Sequence, residues 1–255
     1  MRLGFLGDSM EWQGDLCGKP WPLLACEILS EQGQTWAAAN HSLPGFTATL
    51  MANAIEFNQA VPGSTSAWAE ITSGEDYHVL TCGVNDALLQ VDRPVLNVQQ
   101  QKDAANYLIN GCLRIAPKLN QPLKPIIFTA MQFVPPGTYE PFDEYLTYVG
   151  GLCDYVVTIP YYQLRGPEPQ GMNLLMDDAA VFNQVPPAIQ IAGYHPKAIG
   201  SRFIAAEWVR QMSEKLPLIF THQPSTYPQW DSWAAAFEEC QANSAIWQAL
   251  KSNWD

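Results

Sequence analysis

Short apolar runs alternate along this chain with stretches in which apolar residues recur every three or four positions. The first pattern marks buried strands and the second marks amphipathic helices. Leu3-Leu6 is the first run. Trp21 to Glu31 has helical spacing at Trp21, Leu24, Ala25, Ile28 and Leu29, and Pro22 suits a first turn. Thr35-Ala39 predicts a second strand ending at Asn40, and Thr47 to Ala60 a second helix. Tyr77-Cys82 predicts a third strand. Asn97 to Leu119 predicts a long helix, with Ala104, Leu108, Cys112 and Ile115 on one face. Pro125-Ala130 and Tyr155-Ile159 predict strands four and five, with a helix over Asp143 to Leu152 between them. Pro196 to Lys215 predicts the last helix of the core.

Strand and helix in alternation predict an α/β domain with a parallel sheet covered on both faces. Two stretches depart from the rhythm. Pro160 to Gly171 is rich in Pro, Gly and Gln and reads as a long loop. Residues 216–255 follow the last core helix. Within them Trp230 to Leu250 has helical spacing at Trp233, Ala236, Phe237, Cys240, Ile246, Trp247 and Leu250. The expected organisation is a domain over 1–215 and an extension over 216–255 whose helix packs back on it. No internal repeat is visible.

Composition narrows the function classes. At 255 residues with 47% hydrophobic content the chain can bury one sizeable core. A formal net charge of -12 argues against a nucleic-acid partner, whose phosphates attract basic surfaces. No run approaches the ~18 apolar residues of a membrane-spanning helix. Arg2 is followed by only a brief apolar run before Gly7-Asp8, which is too short for a secretory leader. A cytoplasmic protein is expected. Its six cysteines are scattered, without metal-ligand spacing, and read as free thiols in a reducing compartment. Cys82, inside an apolar strand, reads as a core residue.

In a parallel α/β sheet, ligands bind beyond the carboxyl ends of the strands. Each loop at that edge therefore matters. Gly7-Asp8-Ser9 follows the first strand, and Gly7 lets the backbone turn sharply. Asn40-His41-Ser42-Leu43-Pro44-Gly45 follows the second, with Gly45 just before a helix. Gly83-Val84-Asn85-Asp86 follows the third, offering the Asn85 amide at a strand tip. His195-Pro196 leads into the last helix. A serine hydroxyl becomes a useful nucleophile only with a base, usually histidine, and with donors for the oxyanion formed on attack. Serine, glycine, asparagine and histidine stand here in that chain order, each in a loop at a strand tip or ahead of a helix.

These four blocks resemble those of the SGNH hydrolases, the GDSL family of esterases and lipases. Gly7-Asp8-Ser9 resembles the nucleophile block, and Asn40 to Gly45 the second block, with Ser42 where a different small residue is common. Gly83-x-Asn85-Asp86 resembles the third, and His195-Pro196 the histidine block. The resemblance spans residues 1 to about 215. It implies a three-layer α/β/α, flavodoxin-like sandwich with a central five-stranded parallel sheet. It further implies Ser9 as nucleophile and His195 as general base. The backbone N–H groups of Ser9 and Gly45, with the Asn85 amide, would form the oxyanion hole. The implied function is hydrolysis of an ester or O-acyl group, O-acetyl included, through an acyl-enzyme. A small-molecule or carbohydrate ester is the expected partner, with no metal or organic cofactor.

One position departs from the family. The Asp usually found three residues before the histidine is Ala192 here. In a serine protease triad, loss of the acid's charge costs about 10⁴ in kcat. Three arrangements answer to this change: a backbone carbonyl orients His195, Asp177 or Asp178 supplies the carboxylate, or the site is weakened. The last leaves a binding or assembly module as an alternative, and a transacylase would use the same residues while excluding water. Asp8 and Asp86 read as loop-tying supports, and His41 as a surface-loop histidine. Neither His78 nor His222 has a mechanistic context. Met10, Glu11 and Trp12, and the segment Gln132 to Pro136, are expected to wall the cleft. In the tail, Tyr227, Trp230, Trp233, Trp247 and Trp254 could stack on sugars, but Trp233 and Trp247 read as core-facing.

Overall fold

The five apolar runs become the five strands of one parallel sheet in a computed structural model of the protein. The structure describes residues 1–12, 19–31, 33–57, 74–87, 97–115, 123–164, 195–196 and 198–221. In chain order the elements are β1 (Arg2–Leu6), α1 (Ser9–Trp12), α2 (Trp21–Ser30), β2 (Ala37–Asn40), α3 (Ala48–Glu56), β3 (Tyr77–Leu80) and α4 (Val84–Ala87). Then come α5 (Val98–Asn106), β4 (Ile126–Met131), α6 (Glu140–Leu152), β5 (Tyr155–Ile159) and α7 (Ala198–Lys215). The long helix expected over Asn97 to Leu119 changes character midway. After α5 it widens into a π-helical segment, Tyr107–Leu113, and Arg114 N–H donates to the Ile109 carbonyl at 2.9 Å. Within it Gly111 lies under the Tyr107 ring, where a Cβ would come to 2.7 Å from it. The expected loop after β5 begins as a 3₁₀ turn, Tyr161–Leu164. The remainder of that loop, and the expected helix over Trp230 to Leu250, lie outside the described residues.

The strand order is β2-β1-β3-β4-β5, all neighbours parallel. The chain starts in the sheet's interior, steps outward to β2, then crosses back over β1 to β3. That reversal makes the carboxyl ends of β1 and β3 the switch point at which doubly wound sheets hold their ligands. Ser9 follows β1, and Asn85 follows β3, so the sequence puts two candidate side chains at this one point.

Each face of the sheet is covered, as a parallel sheet requires. On one face α2 packs against α7, and Phe5 of β1 meets Trp21 edge-on at 5.4 Å and Trp208 at 6.3 Å between ring centres. Trp208 also donates its indole N–H to Thr129 Oγ1 at 3.1 Å. On the other face lie α3, α5 with its π-helical continuation, and α6. Phe220, just beyond α7, is fully buried against Trp36, Tyr77 and Trp208 at 4.9, 5.4 and 5.8 Å. The core therefore reaches past residue 215. At the far edge, Gln211 of α7 clasps β5. Its Oε1 accepts from Thr158 N–H at 3.0 Å and its Nε2 donates to the Thr158 carbonyl at 2.7 Å.

Candidate functional site

Ser9 is the first residue of α1 and is half-buried. The preceding Asp8 is buried and braces its own turn: Oδ1 accepts from Met10 N–H at 2.9 Å, and its carbonyl accepts from Glu11 N–H at 3.2 Å. Asp8 Oδ2 has no hydrogen-bond partner among the described residues. Burial pushes the Asp8 carboxyl up to about 7, with the Met10 N–H opposing and Asp86 adding to the rise.

The loop after β2 lies against this turn. Leu43 N–H donates to the Gly7 carbonyl at 3.1 Å, and Phe46 N–H to the Leu43 carbonyl at 3.2 Å. Gly45 has φ +76°, a conformation that favours glycine, and the space a Cβ would occupy is open. Thr47 caps α3, its hydroxyl oxygen accepting from Leu50 N–H at 3.3 Å.

The loop after β3 is tied to the same segment. Asn85 is buried and donates through Nδ2 to the Phe46 carbonyl at 2.9 Å. That bond fixes the amide plane and commits one of its two N–H hydrogens. Asp86 supports both sides, accepting from Ala48 N–H at 2.9 Å and from Gly83 N–H at 3.1 Å. This is the structural role expected of it. Burial pushes its carboxyl up to about 6, against the three backbone N–H groups that it faces. Gly83 has φ +113°, and a Cβ there would lie 2.4 Å from the Tyr145 ring. The turns that carry Ser9, Gly45 and Asn85 are thus bonded to one another.

His195 is half-buried and stands just ahead of α7. That helix runs against the strand direction. Phe220, beyond its end, meets Tyr77 at the start of β3, whereas Trp208 meets Phe5 farther along the strands. The start of α7, about 15 Å beyond Trp208 at 1.5 Å per residue, therefore points to the carboxyl edge. Asp177, Asp178, Ala192, His222 and the tail aromatics Tyr227 to Trp254 lie outside the described residues.

Three expectations are corrected. His41 is no surface residue: it is 7% exposed, and its Nε2 lies 2.6 Å from Glu75 Oε1. Met10 and Glu11 do not wall a cleft but are buried at 2% and 0% exposure. In the segment after β4, Phe133 and Val134 are likewise core residues, while Pro135 and Pro136 are exposed.

The sequence reading missed the networks of two buried carboxylates. Glu75, just ahead of β3, lies between His41 and His78, whose Nδ1 is 2.9 Å from Glu75 Oε2. Burial pushes Glu75 up, but hydrogen bonds and charge from the two histidines outweigh it and hold the carboxyl below its ordinary value. As an anion it accepts from both rings. Glu11 sits under the Ser9 turn, within reach of the Ser42 and Thr81 hydroxyls. Burial pushes it up to about 8, with the Thr81 hydroxyl opposing and Asp8 adding. The one local trace of these groups is glycine inside or beside an apolar strand, at Gly4 and Gly7, which signals a close approach. Cys82 is buried, as expected of a core residue. Among the described residues, no three His, Cys, Asp or Glu side chains gather as a metal site. No described helix is long and apolar enough to cross a membrane.

No protein-family profile matches the sequence, and no curated protein is similar to it in sequence. Solved structures are similar in fold. The psychrotrophic esterase EstA from Pseudoalteromonas sp., solved inhibited by monoethylphosphonate, superposes with a TM-score of 0.57 at 13% identity. The match covers 85% of this chain and 98% of that one. The acetyl xylan esterase AlAXEase gives 0.53 at 15% identity, over 85% and 100% of the two chains. The lipase/acylhydrolase from Enterococcus faecalis gives 0.52 at 17% identity, over 84% and 97%. The chain has the three-layer α/β/α fold of the SGNH hydrolases, with a five-stranded parallel sheet.

Proposed function

We propose that this protein is a serine hydrolase that cleaves an ester or O-acyl group through an acyl-enzyme. One observation carries the reading: the Ser9 turn is bonded to the Gly45 loop through Leu43, and that loop to Asn85 through Phe46. These are the segments that an oxyanion hole would draw on. The fold is shared with solved esterases and a lipase/acylhydrolase, which supports ester hydrolysis as the reaction class.

In this reading Ser9 Oγ attacks the acyl carbonyl carbon as His195 accepts its proton. The carbonyl oxygen becomes the oxyanion, held by the Ser9 and Gly45 N–H groups and the Asn85 amide. Collapse breaks the bond to the alcohol oxygen, which leaves with the proton from His195. Water, deprotonated by His195, then attacks the acyl-Ser9 ester; as the acyl C–Oγ bond breaks, His195 returns the proton to Ser9 Oγ and the acid is released. Donors fixed before reaction are worth more than donors that must reorganise, and each contributes roughly 10²–10³ in rate. Acetylated carbohydrates are candidate substrates, since an acetyl xylan esterase shares the fold.

A second reading is favoured by Ala192: a binding or assembly module on the same fold, without turnover. A transacylase would share the chemistry up to the acyl-enzyme. A chromogenic acetate ester and a fluorophosphonate probe separate the enzyme from the module. An acyl burst and covalent labelling, both lost in Ser9→Ala, are expected of the hydrolase. Wild type and Ser9→Ala with equal rates and no labelling would leave the module reading.

A further inference from the structure

Glu11 is a charged-type residue with 0% exposure, two positions after Ser9. Its carboxyl fills the place of a missing side chain: a Cβ on Gly7 would lie 1.3 Å from Glu11 Oε2. Each carboxyl oxygen then meets a hydroxyl from a different segment. Ser42 Oγ, on the loop after β2, donates to Oε2 at 2.8 Å, and Thr81 Oγ1, at the end of β3, donates to Oε1 at 2.5 Å. The backbone carbonyl of Glu11 accepts from Asn40 Nδ2 at 2.7 Å, while Asn40 Oδ1 accepts from Ser42 N–H at 3.2 Å.

One residue thus joins three segments. The first carries Ser9, the second carries Gly45, and the third leads through Gly83 to Asn85. A misplacement of about 1 Å among such groups costs on the order of 10²-fold in rate. We propose that Glu11 is a positioning residue, whose carboxyl, seated in the notch at Gly7, holds the Ser9 turn in register with the Gly45 and Asn85 loops. This inference rests on the hydrolase reading and gives Glu11 no contact with substrate. Glutamine preserves the shape and can serve both hydroxyls, since each hydroxyl can donate or accept. Methionine fills similar volume and offers neither bond.

The test compares kcat and KM for a chromogenic acetate ester at pH 7 in wild type, Glu11→Gln, Glu11→Met, Ser42→Ala and Ser9→Ala. Rates are taken well below each melting midpoint and normalised to folded protein by circular dichroism. Glu11→Met is expected to lose about 10²-fold in kcat with KM within threefold of wild type. Glu11→Gln should restore kcat to within a few-fold, and Ser42→Ala should lose tenfold or more. If Glu11→Met does not fold, Ser42→Ala decides. The inference is overturned if these variants hold kcat within threefold while Ser9→Ala is inactive, which leaves the hydrolase reading standing. It is also overturned if the loss appears in KM alone, or if Glu11→Gln is as poor as Glu11→Met. A wild type no faster than Ser9→Ala overturns the hydrolase reading, and this inference with it.

Discussion

Gly4 and Glu75 share one space. A Cβ on Gly4 would lie 1.6 Å from Glu75 Oε2, so the absent side chain in β1 is what admits the carboxylate between His41 and His78. Gly4→Ala must therefore displace a buried, paired anion. Overpacking typically costs about 1–3 kcal/mol, and leaving a buried hydrogen-bonding group unsatisfied about 1–3 more. A loss of roughly 2 kcal/mol or more is expected in urea unfolding. Gly151→Ala in α6, where a Cβ meets nothing within 4 Å, is the control. It should leave stability unchanged or raise it by up to about 1 kcal/mol.

The pH dependence of stability follows from the buried acids. Glu11, Asp8 and Asp86 are raised to about 8, 7 and 6. Between its ordinary value and its folded value, each such group has lost its proton in the unfolded chain but keeps it in the folded one. Stability therefore falls as pH rises through that window. Glu11→Gln removes one such group. The melting midpoint of the variant minus that of wild type should grow from pH 5 to pH 8.5. A constant difference would contradict the raised Glu11 carboxyl.

Asn85→Ala should lower kcat by roughly 10²–10³, as for loss of an oxyanion donor. The Phe46 carbonyl also loses its donor, so a stability cost of about 1 kcal/mol is expected alongside. Unchanged kcat in the folded variant would remove Asn85 from the site.

How His195 is oriented can be read from pH–rate profiles between pH 5 and 9. If a backbone carbonyl serves, Ala192→Asp should raise activity and move the acidic limb, on which the general base His195 loses its proton, to higher pH, because a nearby anion favours the imidazolium. If Asp177 or Asp178 serves, Ala192→Asp should help little, and the matching Asp→Asn change should cut activity severely. Four indistinguishable profiles would exclude both carboxylates and position 192 from the mechanism.

Phe220 tests where the folded unit ends. Phe220→Ala should cost about 3–5 kcal/mol in urea unfolding, as for other buried aromatics. A cost below about 1 kcal/mol would mean that the ring contributes little to the core.

The sheet was legible because each strand is an apolar run in its own right. Tyr155-Ile159 matches β5 residue for residue, and Leu3-Leu6, Tyr77-Cys82 and Pro125-Ala130 miss their strands by one or two positions. The π-helical turn at Tyr107–Leu113 was not, since its apolar spacing also fits a regular helix. Loop order put the turns that carry Ser9, Gly45 and Asn85 at one edge of the sheet because strand direction and order fix where those loops emerge. The Glu75 and Glu11 networks were invisible for another reason. Their partners His41, Ser42 and Thr81 lie 34, 31 and 70 residues away, and a charged residue in isolation reads as surface.

The clasp of Gln211 on Thr158 bears on how the molecule meets its own copies. Residues of an outermost strand offer every second N–H and carbonyl pair outward, and a foreign strand docks on that row. One such pair on β5 is already spoken for by a side chain whose helix is anchored in the core through Trp208. An incoming strand would have to evict Gln211 before it could zip past Thr158. Among the described residues, this flank thus carries a built-in stopper against edge-to-edge growth, which yields only when Gln211 gives up both of its bonds to Thr158.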